Sequence, residues 1–241
     1  MQIYSTTDTG LVRHNNEDYH RYDNKRKLMI LADGVGGHAY GEIASRIAVE
    51  SAYQYWLRNE TLPDDESLET PHALVECLSF ANQKVLTQQN IRPDYYNMGT
   101  TLAMAVLNDH TLYYAWVGDS RIYHISAATR SIRQLSIDHT LLQEAADGGT
   151  LDPEKLAPGN IITRVIGSMY NAQPESGTAT MTSGDLLLLC SDGLTDLVED
   201  EQICDIMMTD KPLYEIPHAL VAEAYNYGAH DNITAVVARV P

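Results

Sequence analysis

The stretch TTLAMAVLNDHTLYYAWVGDSRIYHISAATRSIRQL, from Thr100 to Leu135, decides the fold class. It holds four apolar runs, Thr100–Leu107, Thr111–Val117, Arg121–Ser126 and Ser131–Leu135, joined by short polar turns. Runs of this length with turn residues between them predict successive strands of an antiparallel meander. Strands that follow one another without intervening helices do not build a doubly wound parallel sheet. Antiparallel sheets with helices packed outside are expected instead.

Working outward, Lys27–Ala32 (KLMILA) reads as a short buried strand ending at Asp33 and a glycine turn. Gly41–Asn59 places Ile43, Ile47, Ala48, Ala52, Tyr55 and Trp56 near helical period. Thr70-Pro71 marks a second helix start, followed by a stripe of Leu74, Leu78, Ala81 and Val85. Downstream, a short helix is expected over Thr140–Ala146 and a glycine- and proline-bearing flap over Asp147–Ile161, with the flap segment as a whole at about 141–163. Asp185–Cys190 is a buried strand, Glu201–Met208 and Ile216–Tyr227 are helices, and Ile233–Val240 closes the chain as a strand. The acidic segment Glu60–Thr70 reads as a loop, and nothing marks a linker or repeat, so residues 1–241 are expected to form one domain.

The 241 residues are 44% apolar and 20% charged, an ordinary globular mix. The longest apolar run, Leu186–Cys190, is far too short to span a membrane, and the N-terminal segment lacks the apolar core of a signal peptide. A soluble, cytoplasmic protein is the expectation. Cys77, Cys190 and Cys204 are widely spaced and odd in number, which suits reduced, buried thiols. The formal charge of -17 disfavours nucleic acid and anionic membranes as partners.

Part of that charge sits in unusual places. Asn16-Glu17-Asp18, Ala32–Gly37 (ADGVGG), Val117–Arg121 (VGDSR), Ser191–Asp196 (SDGLTD) and Asp231–Thr234 (DNIT) mostly set an acid beside a glycine or small polar residue at the end of an apolar strand. Any one of these is an ordinary turn. Together, Asp33, Asp119, Asp192 and Asp231 could gather at one end of a sheet, where their mutual repulsion amounts to several kcal/mol at intermediate dielectric. Such a cluster needs cations. Oxygen ligands without His or Cys spacing select hard ions, magnesium or manganese, over zinc.

The ordered series Arg13-x-x-x-Glu17-Asp18, DGxGG from Asp33, Gly99-Thr100-Thr101, Gly118-Asp119-Ser120-Arg121, Ser191-Asp192-Gly193 with Asp196, and Asp231-Asn232 resembles the metal-dependent, type 2C serine/threonine protein phosphatases, in their compact bacterial form. The resemblance implies a four-layer αββα sandwich of the α+β class, with two antiparallel sheets flanked by helices. It implies two divalent metal ions, manganese or magnesium, with a third, weaker position. Asp33 would bridge the two ions and Gly34 would offer its carbonyl. Asp192 and Asp231 would hold the first ion. Glu17 and Asp18 would act mostly through water ligands, and Asp119 and Asp196 match the third position. Arg13 would grip the substrate phosphate, for which a guanidinium suits bidentate contact. The implied reaction is hydrolysis of phosphoserine and phosphothreonine in proteins by a water held between the metals, reversing a bacterial serine/threonine kinase, in a chain expected to be monomeric.

One departure stands out. Many eukaryotic members carry a histidine directly after the DG pair; here that position is Val35, which cannot donate a proton, so a water ligand is expected to act as the acid. His38 and His139, with Asp138, are read as structural, and Gly99-Thr100-Thr101 as an ordinary strand beginning. The flap is expected to shape substrate choice. Rival readings are a catalytically silent regulatory module and a phosphatase of small molecules. A dinucleotide site at Gly34–Ala39 formally fits GxGxxG/A, but Asp33 would oppose the pyrophosphate, and the helix that follows leads into another helix rather than a parallel strand.

Overall fold

The structure, a computed structural model, describes residues 1–35, 40–58, 69–146, 148, 161–170 and 172–241. Its strands are β1 (Gln2–Asp8), β2 (Tyr19–Asp23), β3 (Leu28–Ala32), β4 (Leu102–Asn108), β5 (Thr111–Val117), β6 (Arg121–Ser126), β7 (Ser131–Gln134), β8 (Glu175–Thr180), β9 (Leu186–Cys190) and β10 (Ile233–Arg239). Its helices are α1 (Gly41–Arg58), α2 (Glu69–Ile91), α3 (Leu141–Ala146), α4 (Asp192–Thr195), α5 (Asp200–Met207) and α6 (Ile216–Asn226). Two five-stranded sheets result, ordered β1-β10-β9-β6-β7 and β2-β3-β4-β5-β8, with every pairing antiparallel.

The side-chain period of a strand explains why the layers number four. In β3, Leu28, Ile30 and Ala32 join a core under α1 and α2, while Met29 and Leu31 face the opposite sheet. In β9, Leu186, Leu188 and Cys190 pack under α5 and α6, and Leu187 and Leu189 meet the first group between the sheets. Both faces of each central strand are therefore buried, so these strands read as continuous apolar runs. The α2 stripe of Leu74, Leu78, Ala81 and Val85 is fully buried; each Leu or Val contributes about 1.5–3 kcal/mol of transfer free energy. The αββα expectation holds.

The meander does not hold as one sheet. β4 and β5 pair with each other, as do β6 and β7, but β5 pairs onward with β8 and β6 with β9. The chain leaves one sheet and enters the other at Gly118–Ser120. Gly118 has φ +103, a conformation that a side chain resists, and a Cβ there would strike Thr101. β1, β2 and β8 were not individually legible: β8 (ESGTAT) is an edge strand of small and polar residues without apolar alternation. The flap begins at α3 and returns along Ile161–Thr163, with Leu141 N–H on the Ile161 carbonyl at 2.9 Å and Thr163 N–H on that of His139 at 2.8 Å. Residues 147 and 149–160, and with them most of the expected flap, lie outside the described residues, as does His38. The three cysteines are free and buried. Burial pushes the Cys77 thiol up to about 12 and that of Cys190 higher still, as suits unreactive core groups.

Candidate metal centre

β9 and β10 are antiparallel neighbours, so the residues after β9 and before β10 share one end of their sheet. Asp192 and Asp231 are those residues. Asp33 follows β3 in the other sheet, and Asp119 sits in the crossover between the two. The acids thus converge at one end of the sandwich from both of its sheets.

The backbone around Asp33 is pinned by the two threonines. Its N–H donates to Thr101 Oγ1 at 2.9 Å, and its carbonyl accepts from Thr101 N–H at 2.8 Å and from Thr100 Oγ1 at 2.7 Å. Thr101 Oγ1 also bonds Ser120 Oγ at 2.7 Å, tying the Asp33 turn to the crossover. Thr100 and Thr101 therefore do more than begin a strand. Sequence reasoning missed this because threonine is common in strands for its shape alone. The expected strand starts at Leu102, two residues later.

Asp18 lies behind this turn. Its Oδ2 accepts from Ser191 Oγ at 2.8 Å and Thr234 Oγ1 at 2.6 Å. Asn232 fastens the N-terminal segment: its Oδ1 accepts from Glu17 N–H at 2.8 Å, and its Nδ2 donates to the carbonyls of Thr9 at 3.0 Å and Asn15 at 2.9 Å. Gly193 is required because a Cβ there would collide with the Asn232 carbonyl. His139 braces the crossover: Gly118 N–H donates to its Nδ1 at 3.1 Å. Asp138 takes the Arg121 guanidinium at 2.8–3.1 Å.

A cavity of about 360 Å³ opens at this end, lined by Arg13, Glu17, Asp33, Gly34, Val35, Ile161, Ile162, Asp192, Asp231 and Asn232. Six of the nine sequence-predicted site residues line it directly. Asp18 sits behind its wall; Asp119 and Asp196 lie to one side, where the charge of Asp196 raises both Asp119 and Asp192. Asp196 is exposed at the end of α4. Arg13, exposed at the rim, donates from Nη2 to Asp231 Oδ2 at 2.8 Å.

Charge is concentrated here. Burial, opposed by the Thr234 and Ser191 hydroxyls, pushes the Asp18 carboxyl up to about 7. Burial and then Asp196 and Asp231 push Asp192 to about 6. Asp33 rises well above the carboxylate range through burial and the charges of Asp18, Asp192 and Asp119, and Asp119 does so through burial and Asp192. Asp33 lies between Asp18 and Asp192, and its hydrogen bonds oppose the rise of both neighbours. Glu17 is raised by burial and by Glu42 at the start of α1.

These residues fit divalent cations. Asp18 Oδ1, Asp119 Oδ2 and Asp192 Oδ1 are buried without a hydrogen-bond partner, a costly state for an acid that a positive ion would relieve. The donor set is carboxylate throughout, which suits manganese or magnesium. Among the described residues no group of three or more His, Cys, Asp or Glu side chains is already arranged to hold an ion.

A sequence profile described as Protein phosphatase 2C matches residues 10–216. The chain belongs to the protein phosphatase 2C family. Protein phosphatase PhpP of Streptococcus pneumoniae is 40% identical to it, over 98% of this chain and 96% of that one. The solved structure of serine/threonine phosphatase Stp1 from Staphylococcus aureus superposes with a TM-score of 0.88 at 30% identity, covering 100% of this chain and 95% of that one. The catalytic domain of serine/threonine protein phosphatase PstP, solved with two manganese ions, matches with a TM-score of 0.84 at 32% identity, covering 100% and 98%. The two sheets with helices outside are the sandwich of this family. The histidine that many eukaryotic 2C members carry after the DG pair is Val35 here, half-buried and lining the cavity.

Proposed function

We propose that the chain is a metal-dependent protein phosphatase that hydrolyses phosphoserine and phosphothreonine esters, using two manganese or magnesium ions. The observation that carries this reading is Asp33, set between Asp18 and Asp192 at the junction of the two sheets, with Arg13 at the cavity rim. Bound cations would supply a lowered pKa for an attacking water and offset charge on the phosphoryl oxygens. Asp33, Asp192, Asp231 and the Gly34 carbonyl would hold them, Glu17 and Asp18 would orient water around them, and Asp119 with Asp196 would serve a weaker, third position. Arg13 would receive the phosphate through two parallel N–H···O contacts, exchanging Asp231 for the substrate. Val35 brings no proton to the leaving group, so no side chain at that position shapes the pH profile.

Every carboxylate of the family pattern is present in the sequence, which favours an enzyme over a silent regulatory module. Among the described residues no helix is long and apolar enough to cross a membrane. Phosphorylated proteins in the cytoplasm, modified by a serine/threonine kinase, are the proposed substrates, and the chain is proposed to act as a monomer. The test is release of phosphate from a phosphothreonine peptide by wild type and Asp192→Asn, with manganese and with EDTA. Metal-dependent release, lost in the variant, is expected; no release by a manganese-loaded wild type would overturn the reading.

A further inference from the structure

Val35 has two sides. One closes the carboxylate cavity; the other walls a larger cleft of about 580 Å³. That cleft runs between the C-terminal end of α2, the turn at residues 96–99 and the segment 165–170, and its lining is mainly apolar: Leu86, Tyr96, Met98, Val165, Met169 and Tyr170. Tyr96, Met169 and Tyr170 stand 75%, 75% and 82% exposed. Large side chains left in water beside a reaction site are a recognition surface in waiting, because covering them returns their transfer free energy.

The cleft is prebuilt. Gln89 Nε2 donates to the carbonyls of Met98 at 2.8 Å and Gly167 at 3.0 Å, stapling the two walls to α2. Asn82 accepts from Gly167 N–H at 2.7 Å and donates to the Ser168 carbonyl at 3.1 Å. Ile166 and Thr100 exchange both backbone hydrogen bonds, at 2.8 and 3.1 Å, so the outer wall is continuous with the residues that pin Asp33. A wall that does not have to be ordered on binding loses little affinity to entropy.

We propose that this cleft is a specificity subsite that takes a bulky apolar side chain flanking the phosphorylated residue. The inference rests on the phosphoprotein reading above. A polypeptide whose phosphoryl group lies against Arg13 and Asp33 must run its neighbouring residues over the cavity rim, and Val35 leads directly from that rim into the cleft. With a net charge of -17, the protein gains nothing from acidic flanking residues, whereas an apolar side chain is selected by burial alone.

The experiment walks one leucine through the flanking positions of an otherwise Gly/Ser phosphothreonine peptide and measures kcat/KM in saturating manganese. Wild type is compared with the Met169→Ser/Tyr170→Ser double variant, and p-nitrophenyl phosphate, which has no flanking residue, is the control. Leucine at one position should raise kcat/KM roughly tenfold, as filling an apolar pocket does, chiefly through KM. The double variant should lose most of that gain and hydrolyse p-nitrophenyl phosphate like wild type. Equal kcat/KM for all peptides, or an undiminished leucine gain in the variant, overturns the subsite. Hydrolysis of p-nitrophenyl phosphate with no peptide cleaved would instead overturn the phosphoprotein reading, and the occupant with it.

Discussion

Arg13 and Asp231 are 218 residues apart and joined by a 2.8 Å hydrogen bond between guanidinium and carboxylate. One partner is proposed to bind phosphate and the other metal, so each function has to loosen the other's contact. The pair is half-exposed, with side chains 43% and 29% accessible, and such pairs are worth about 0–1 kcal/mol. Arg13→Ala should therefore leave manganese affinity unchanged or strengthen it by up to about fivefold, while KM for a phosphopeptide rises. Calorimetry of manganese binding beside steady-state kinetics checks this. Weaker metal binding in the variant would contradict it.

The buried acids make the metal-free protein sensitive to pH. Asp18 at about 7, Asp192 at about 6 and Asp33 well above its ordinary value are all raised over an unfolded reference near 4. The folded state then holds more protons than the unfolded one, so stability is present at low pH and drains away as pH rises through these values. In EDTA the Tm should fall from about pH 5 to about pH 8. Saturating manganese, which needs the acids ionised, should remove the fall. A flat Tm in EDTA would speak against the charged cluster.

By the same reasoning, Asp33→Asn should raise the Tm of the EDTA-treated protein at pH 8 while abolishing manganese binding. The substitution removes the group on which three like charges press, and it removes the proposed bridge. A variant less stable than wild type in EDTA would show that Asp33 supports the fold in ways its neighbours do not reveal.

Thr101 bonds both Asp33 N–H and Ser120 with one buried hydroxyl. Thr101→Val should cost about 1–3 kcal/mol and weaken manganese binding, and Thr101→Ser should restore most of both. Chemical denaturation and calorimetry read the two effects. A larger loss in the Ser variant than in the Val variant would assign the role to the methyl group instead.

Val35→Ala should leave the acidic limb of the pH–rate profile with p-nitrophenyl phosphate in place, since Val35 has no proton to lose. Disappearance of that limb would mean that the side chain shields the acid in use.

The site was legible because its parts are local: an acid beside a glycine at the end of an apolar run is visible without knowing where the run goes. What joins the parts was not. Nothing in VGDSR announces that Val117 and Arg121 belong to different sheets, because the hairpin and the crossover use the same turn residues. Ser191 and Thr234 look like ordinary members of SDG and DNIT, and only the fold shows both hydroxyls on one oxygen of Asp18. Gln89 and Asn82 lie on a helix with no local sign that they hold the far wall of a cleft. β8 stayed hidden because an edge strand needs only one good face.

The crossover at Gly118–Ser120 gives the proposed metal centre a mechanical meaning. Asp33 belongs to one sheet and Asp192 and Asp231 to the other, so a cation held as proposed would act as a rivet through the open end of the sandwich. Prying the sheets apart there would first have to break that coordination. Amide hydrogen exchange at the C-terminal ends of β3 and β9 would then report occupancy, slow with the rivet in and fast with it out, and the enzyme would be most rigid when it is ready to work.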